Sequence, residues 1–206
     1  MSEFSLDELS DLQFDVLKEI GNIGAGNATT ALSQIMNTKI DMGVPKVALV
    51  PLSEIAGIIG SEDQVICGIL LAMEQDVSGT MMFLLNEESA QTIVASLMQA
   101  PPKPFSEFAE IELSALSEIG NIIAGAYLSA LSTLTNLTIT ASVPAITVDM
   151  AGAILSVPAI EYGKIGDKVL FIETQLGEDI LLNGYIVMVP EIESYGKILT
   201  ALGIEI

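Results

Sequence analysis

The sequence predicts an α/β protein built from two similar halves that share one core, with sheet on one side and a pair of helices on the other. Three observations lead there. The segment Glu19-Ile20-Gly21-Asn22-Ile23-Gly24-Ala25-Gly26-Asn27 returns ninety-nine residues later as Glu118-Ile119-Gly120-Asn121-Ile122-Ile123-Ala124-Gly125. Over positions 15–45 and 114–144, 15 of 31 residues are identical without a gap. Each half then passes from helical to β-type periodicity in the same order, and Ala100-Pro101-Pro102-Lys103-Pro104 stands between them as a hinge. The chain is therefore read as one domain, 1–206, made of two internal repeats at about 1–100 and 105–206 and related by a pseudo-twofold axis.

In chain order, Ser5-Leu6-Asp7-Glu8 has the Ser-x-x-Glu form of a capping box and should open the first helix. Leu9, Leu12, Val16, Ile20, Ile23, Leu32, Ile35 and Met36 carry its helical spacing, and Asn37 should end it. Lys39–Leu52, rich in Val and Ile, reads as a strand. Pro45 inside it donates no ladder hydrogen bond, which demands an edge position or a bulge. Gln64–Met73 and Gly79–Leu85 read as strands joined by a polar turn at Glu74-Gln75-Asp76. Asn86 followed by two glutamates should cap a helix that turns Ala90, Ile93, Val94 and Leu97 inward.

The second half repeats this order. Ser106 should cap a helix to about Leu134, and Leu137–Met150 should be a strand with Pro144 matching Pro45. Ile154–Ile160 reads as strand, and Lys168–Gln175 with Ile180–Val189 as a hairpin. A last helix from Glu191 to about Leu202 has Gly203 at its C-terminal cap. Gly79/Gly184, Glu88/Glu193 and Ser89/Ser194 align at an offset of 105, which places six extra residues in 160–183.

Composition narrows the function. Half of the 206 residues are hydrophobic, enough for a substantial core. Acidic residues number 27 against 7 basic, a net charge of −20, and every basic residue is lysine. Such a surface repels nucleic acid, whose binding requires cations that displace counterions. It suits a partner with a basic face or a salt-rich cytoplasm. A single cysteine, Cys67, excludes an internal disulfide and fits a reducing, cytoplasmic setting. Residues 119–148 lack charge, but Asn121, Ser129, Ser132, Thr133, Thr135, Asn136 and Pro144 interrupt them. No lysine cluster flanks them, so they are read as buried structure and not as a membrane insertion. No histidine is present, which removes the Ser-His-Asp triad and the usual zinc sets. The glycine spacing also differs from a dinucleotide fingerprint and follows no strand.

What both halves keep is a Glu-x-x-Asn pair on a helix. Glu19 with Asn22, and Glu118 with Asn121, are three residues apart and project side by side. Asp15, Gly26, Thr29 and Ser33 extend the first stripe; Ser114, Gly125, Leu128 and Ser132 extend the second. The apolar residues occupy other faces, so both pairs should point outward. One such pair is most often an ordinary solvated face. Retention of a mediocre helix former, Asn, at the same exposed place in both copies reverses that reading. Gly21, Gly24 and Gly26 each cost ~1 kcal/mol relative to Ala in a helix interior. Close packing of the two helices would repay this, and so would a flat approach for a partner.

The doubled pattern, Asp15, Glu19, Asn22, Pro45 and Ser114, Glu118, Asn121, Pro144, strongly resembles the CheC family of chemotaxis phosphatases, related to CheX and FliY. The resemblance spans essentially the whole chain. Two motifs per chain set it apart from CheX, and an end at Ile206 from FliY, which has a further C-terminal domain; CheC members match best. The resemblance implies hydrolysis of the aspartyl phosphate of the response regulator CheY. The matching Asn orients the attacking water, and the matching Glu pairs with a lysine of the regulator. Asp15, Ser114, Gly26 and Gly125 would contact the substrate protein. No cofactor of its own is expected, with Mg²⁺ carried by the receiver domain. CheD, a receptor-modifying deamidase, is the implied second partner, and the chain is expected to be a monomer. The alternative is a scaffold that binds phospho-CheY or CheD without turnover. The chemistry itself is reasonable: a chain lacking Arg and His does not clamp a phosphate unaided, but an amide can position water on a phosphate held elsewhere.

Overall fold

The computed structural model describes residues 11–36, 43–162, 168–176 and 182–203. The Ser5 capping box, Leu9 and the helix end expected at Asn37 lie outside the described residues. The elements are α1 (Asp11–Met36), β1 (Lys46–Val50), α2 (Leu52–Ile59), β2 (Val65–Gln75), β3 (Gly79–Asn86) and α3 (Glu87–Met98). There follow a 3₁₀ turn at Phe105–Glu107, α4 (Glu110–Thr135), β4 (Ile139–Ala141), β5 (Ala145–Met150), α5 (Ala151–Tyr162), β6 (Val169–Leu176), β7 (Leu182–Pro190) and α6 (Ile192–Ala201).

Among the described residues the strands form one antiparallel sheet in the order β1-β6-β7-β3-β2-β4, with β5 also on β2. At its centre β3 pairs with β7 so that Gly79 faces Pro190 and Leu85 faces Gly184. With the offset of 105, Gly79 corresponds to Gly184 and Leu85 to Pro190. Exchanging the halves thus returns the same ladder, and a pseudo-twofold axis passes between the paired residues Met82 and Val187. The flanks obey it as well. Gly43 N–H donates to the Gln175 carbonyl at 3.1 Å beside β1, and Ser142 N–H donates to the Ala72 carbonyl at 2.9 Å beside β5.

Helices cover both faces of this sheet. On one face α1 and α4 pack together, with α3 and α6, over Cys67, Ile69, Leu71, Phe83, Ile172 and Ile186. On the other, Ile55, Ala56 and Ile59 of α2 and Ala151, Ile154 and Leu155 of α5 lie against Met82, Leu84, Phe171 and Val187. That second layer departs from the expected one-sided arrangement. Residues 154–160, expected as strand, are the core of α5. Buried positions Ala151, Ile154, Leu155 and Pro158 follow helical spacing, which a short apolar run shares with a buried strand. Among the described residues no helix is long and apolar enough to cross a membrane.

Pro45 sits just before β1, an edge strand as its lost donor requires. Leu137–Met150 splits into β4 and β5 instead of forming one strand. Pro144 interrupts the ladder there, and the Ser142 hydroxyl accepts from Ala72 N–H at 2.9 Å. The cap of α3 forms as expected, with Asn86 Oδ1 accepting from Ser89 N–H at 2.9 Å.

The start of α4 is corrected by three residues, because Ser106 lies in the 3₁₀ turn and Ala109 is the N-cap. Ala109 has no side-chain oxygen, so only the reaching-back half of a capping box is made: Ala109 N–H donates to Glu112 Oε2 at 2.6 Å. Lys103 Nζ pairs with the other carboxylate oxygen at 2.7 Å. The hydrogen bond from Lys103, and then that from Ala109 N–H, hold the Glu112 carboxyl below the ordinary carboxylate range. A depressed carboxyl adds stability above its unfolded pKa and loses it as pH falls through the folded one. In denaturant titrations, wild type should exceed Glu112→Gln in stability at neutral pH, and the difference should close below about pH 4. A gap that is constant with pH would refute the assignment.

Candidate functional site

The buried side of α1 is drawn by Leu17, Ile20, Gly21, Gly24, Ala25, Ala28 and Leu32. Each has a buried counterpart ninety-nine residues on: Leu116, Ile119, Gly120, Ile123, Ala124, Tyr127 and Leu131. Fixing these faces toward the core turns the opposite faces to solvent. Asp15, Glu19, Asn22 and Gly26 are exposed on α1, and Ser114, Glu118 and Gly125 on α4, where Asn121 is half-buried. Because α1 and α4 pack against each other, the two Glu–Asn pairs belong to one helical layer and are exchanged by the pseudo-twofold operation. Among the described residues the side chains of Glu19, Asn22, Glu118 and Asn121 make no hydrogen bond or ion pair. Leu128 departs from the expected outward stripe and is buried, at 3% exposure. Its helix is covered by α3, which deepens that flank of the second copy.

The glycines fall into distinct groups. A Cβ on Gly21 would stand 2.6 Å from Val47 Cγ2 of β1, and one on Gly120 2.6 Å from Ile69 Cγ2 of β2, so these two let the helices settle onto the sheet. A Cβ on Gly24 would run into the Tyr127 ring, within 2.7 Å of its Cγ, so Gly24 makes room where α1 meets α4. The symmetry-related positions are Ile123 and Ala28, so large and small residues are exchanged across the axis. Gly26 and Gly125 have nothing within 4 Å of a built Cβ. Packing does not require them; they leave bare helix backbone one turn beyond each Asn.

Sequence reasoning did not single out Lys18. Its Nζ lies 2.8 Å from Asp15 Oδ1 and 4.7 Å from the centre of the Phe14 ring. Asp15, Lys18, Glu19 and Asn22 are linked by steps of three and four residues and form a diamond on the helix surface. The Asp–Lys spacing of three was the signal that would have found it. In the second copy the diamond is Ser114, Ser117, Glu118 and Asn121. Asp76, of the polar turn after β2, accepts Thr138 N–H at 2.8 Å and ties β2 to the start of β4.

A model of the CheC-like family matches residues 12–49 and 111–148, one match per repeat. The chain is 35% identical over 200 residues to a Bacillus subtilis protein named CheY-P phosphatase CheC, covering 95% of this chain and 96% of that one. It is 31% identical over 131 residues to the flagellar motor switch phosphatase FliY of the same organism, covering 63% of this chain and 34% of FliY. The fold resembles the crystal structure of Thermotoga maritima FliY, with a TM-score of 0.74 at 22% identity over 95% of this chain and 98% of that one.

Proposed function

The chain belongs to the CheC-like family, and from that premise we propose that it hydrolyses the aspartyl phosphate of the response regulator CheY. The observation that carries the site assignment is the pair of unengaged Glu–Asn sets on α1 and α4, facing away from the core at symmetry-equivalent positions. Each Asn side-chain carbonyl accepts a hydrogen bond from an O–H of the attacking water and directs the water oxygen at the phosphorus. Each Glu carboxylate pairs with a lysine of the receiver and sets the docking register. The receiver brings the phosphate together with its own Mg²⁺, so this chain adds water positioning to an otherwise prepared site. Gly26 and Gly125 let the receiver approach the backbone closely beside each Asn.

Purified protein should release phosphate from phospho-receiver in a Mg²⁺-dependent reaction and leave p-nitrophenyl phosphate untouched. Saturable hydrolysis of that small ester would contradict the reading, because a chain without Arg or His has no clamp of its own for it. Binding of phospho-receiver without any phosphate release would instead establish the scaffold alternative.

The protein is taken to work as a cytoplasmic monomer with CheD as second partner, bound away from the motif helices. The opposite face of the sheet suits this. There α2 and α5 leave Ile58, Val157 and Ile160 exposed on a chain whose surface is otherwise strongly acidic. Pull-down of CheD should survive Glu19→Ala with Glu118→Ala and fail with Ile160→Asp. The reverse outcome would place CheD on the motif face.

A further inference from the structure

We propose that Asp15 is a charge-balancing residue: it neutralises Lys18 so that the cation does not repel the receiver lysine that Glu19 must hold. The inference rests on the docking reading above and concerns only the first site. Lys18 occupies a corner of the diamond, next to Glu19 in sequence and one turn before Asn22. It is about half exposed, with Asp15 at 2.8 Å and the Phe14 ring at 4.7 Å both on its N-terminal side. The ammonium is therefore drawn back from the Glu–Asn pair and its charge is matched locally. Without Asp15, a free cation would stand where a second cation has to arrive.

The second copy supplies the control. Position 114 is Ser where the first copy has Asp15, and position 117 is Ser where the first copy has Lys18. The acid and the base are lost together, and each diamond keeps one uncompensated charge, its Glu. The same coupling recurs at the sheet edge. Lys46 of β1 pairs with Glu173 of β6 at 3.2 Å, while the corresponding positions on β5 and β2 are Ala145 and Leu70, also paired in register. At both places the lysine, Lys18 or Lys46, has a carboxylate beside it, and the symmetry-related pair of positions carries neither charge.

The effect is that of an exposed charge and is modest. In an Asn121→Ala background, where only the first site acts, Asp15→Ser should raise KM for phospho-receiver about two- to fivefold at low salt, with the loss on KM and not on kcat. The dissociation constant for receiver activated with beryllium fluoride should rise by the same factor. Both effects should shrink at high ionic strength, since exposed charges are screened. Adding Lys18→Ser to Asp15→Ser should restore both values. Conversely, in an Asn22→Ala background, Ser117→Lys should weaken the second site and Ser114→Asp should rescue it. An unchanged dissociation constant for Asp15→Ser, or no rescue by Lys18→Ser, would overturn the proposal. Loss of phosphate release with normal receiver binding would instead count against the hydrolytic reading, and the dissociation constants would still decide the role of Asp15.

Discussion

Replacing both Asn22 and Asn121 by Ala should return phospho-receiver decay to the receiver's own autohydrolysis rate, while either single replacement leaves a substantial share of activity. The amide is the group that positions water. Loss of such positioning typically costs ~10²-fold or more at its own site. Neither side chain fills the core, Asn22 being exposed and Asn121 half-buried, so truncation opens no cavity and folding should survive. Unequal shares are expected. The second pair sits deeper, beside the buried Ile123, Tyr127 and Leu128, and the diamonds differ at Asp15/Ser114 and Lys18/Ser117. Single-turnover phosphate release from the three variants measures this directly. If Asn121→Ala alone removed all activity, or none, one pair would carry the chemistry and the other would need a different explanation.

Two glycines two residues apart should respond to Ala with opposite signs. Gly24→Ala places a methyl against the ring of Tyr127, which is fully buried between α4 and the sheet and has no room to retreat. Overpacking of this kind costs ~1–3 kcal/mol, of which the gain in helix propensity returns ~1. The net loss should lower Tm by several degrees, about 2–4 °C for each kcal/mol in a chain of this size. Gly26→Ala meets nothing within 4 Å and should stabilise α1 by up to ~1 kcal/mol. A larger side chain, Gly26→Leu, should keep that fold yet depress hydrolysis at the first site, read in the Asn121→Ala background, because it fills the close approach beside Asn22. Thermal melts with phosphate-release assays separate the two roles. Full activity of Gly26→Leu would remove Gly26 from the docking surface.

Much of the architecture is local in origin and therefore legible in the sequence. The faces of α1 and α4 follow from 3.6-residue periodicity, which sends Ile20 and Ile119 inward and leaves Glu19 and Glu118 outside. Repetition did the rest. The two offsets, 99 and 105, already contain the pseudo-twofold relation that the β3–β7 register displays, and Pro45 announces an edge strand through the donor it lacks. Other features depend on partners distant in the chain. Ile154–Ile160 is a short apolar run that suits helix or strand equally, and only the reverse face of the sheet, with Met82, Phe171 and Val187 waiting to be covered, selects the helix α5. Ser106 has the right chemistry for a cap, yet α4 begins at Glu110, where Glu112 is held by Lys103 of the hinge. The motif glycines look alike in sequence. Tertiary contact divides them, because Gly24 meets a ring 103 residues away, Gly21 and Gly120 meet strands, and Gly26 and Gly125 meet open space. Side-chain periodicity is a property of a few neighbouring residues, whereas the room available to a Cβ is set by whatever the rest of the chain brings against it.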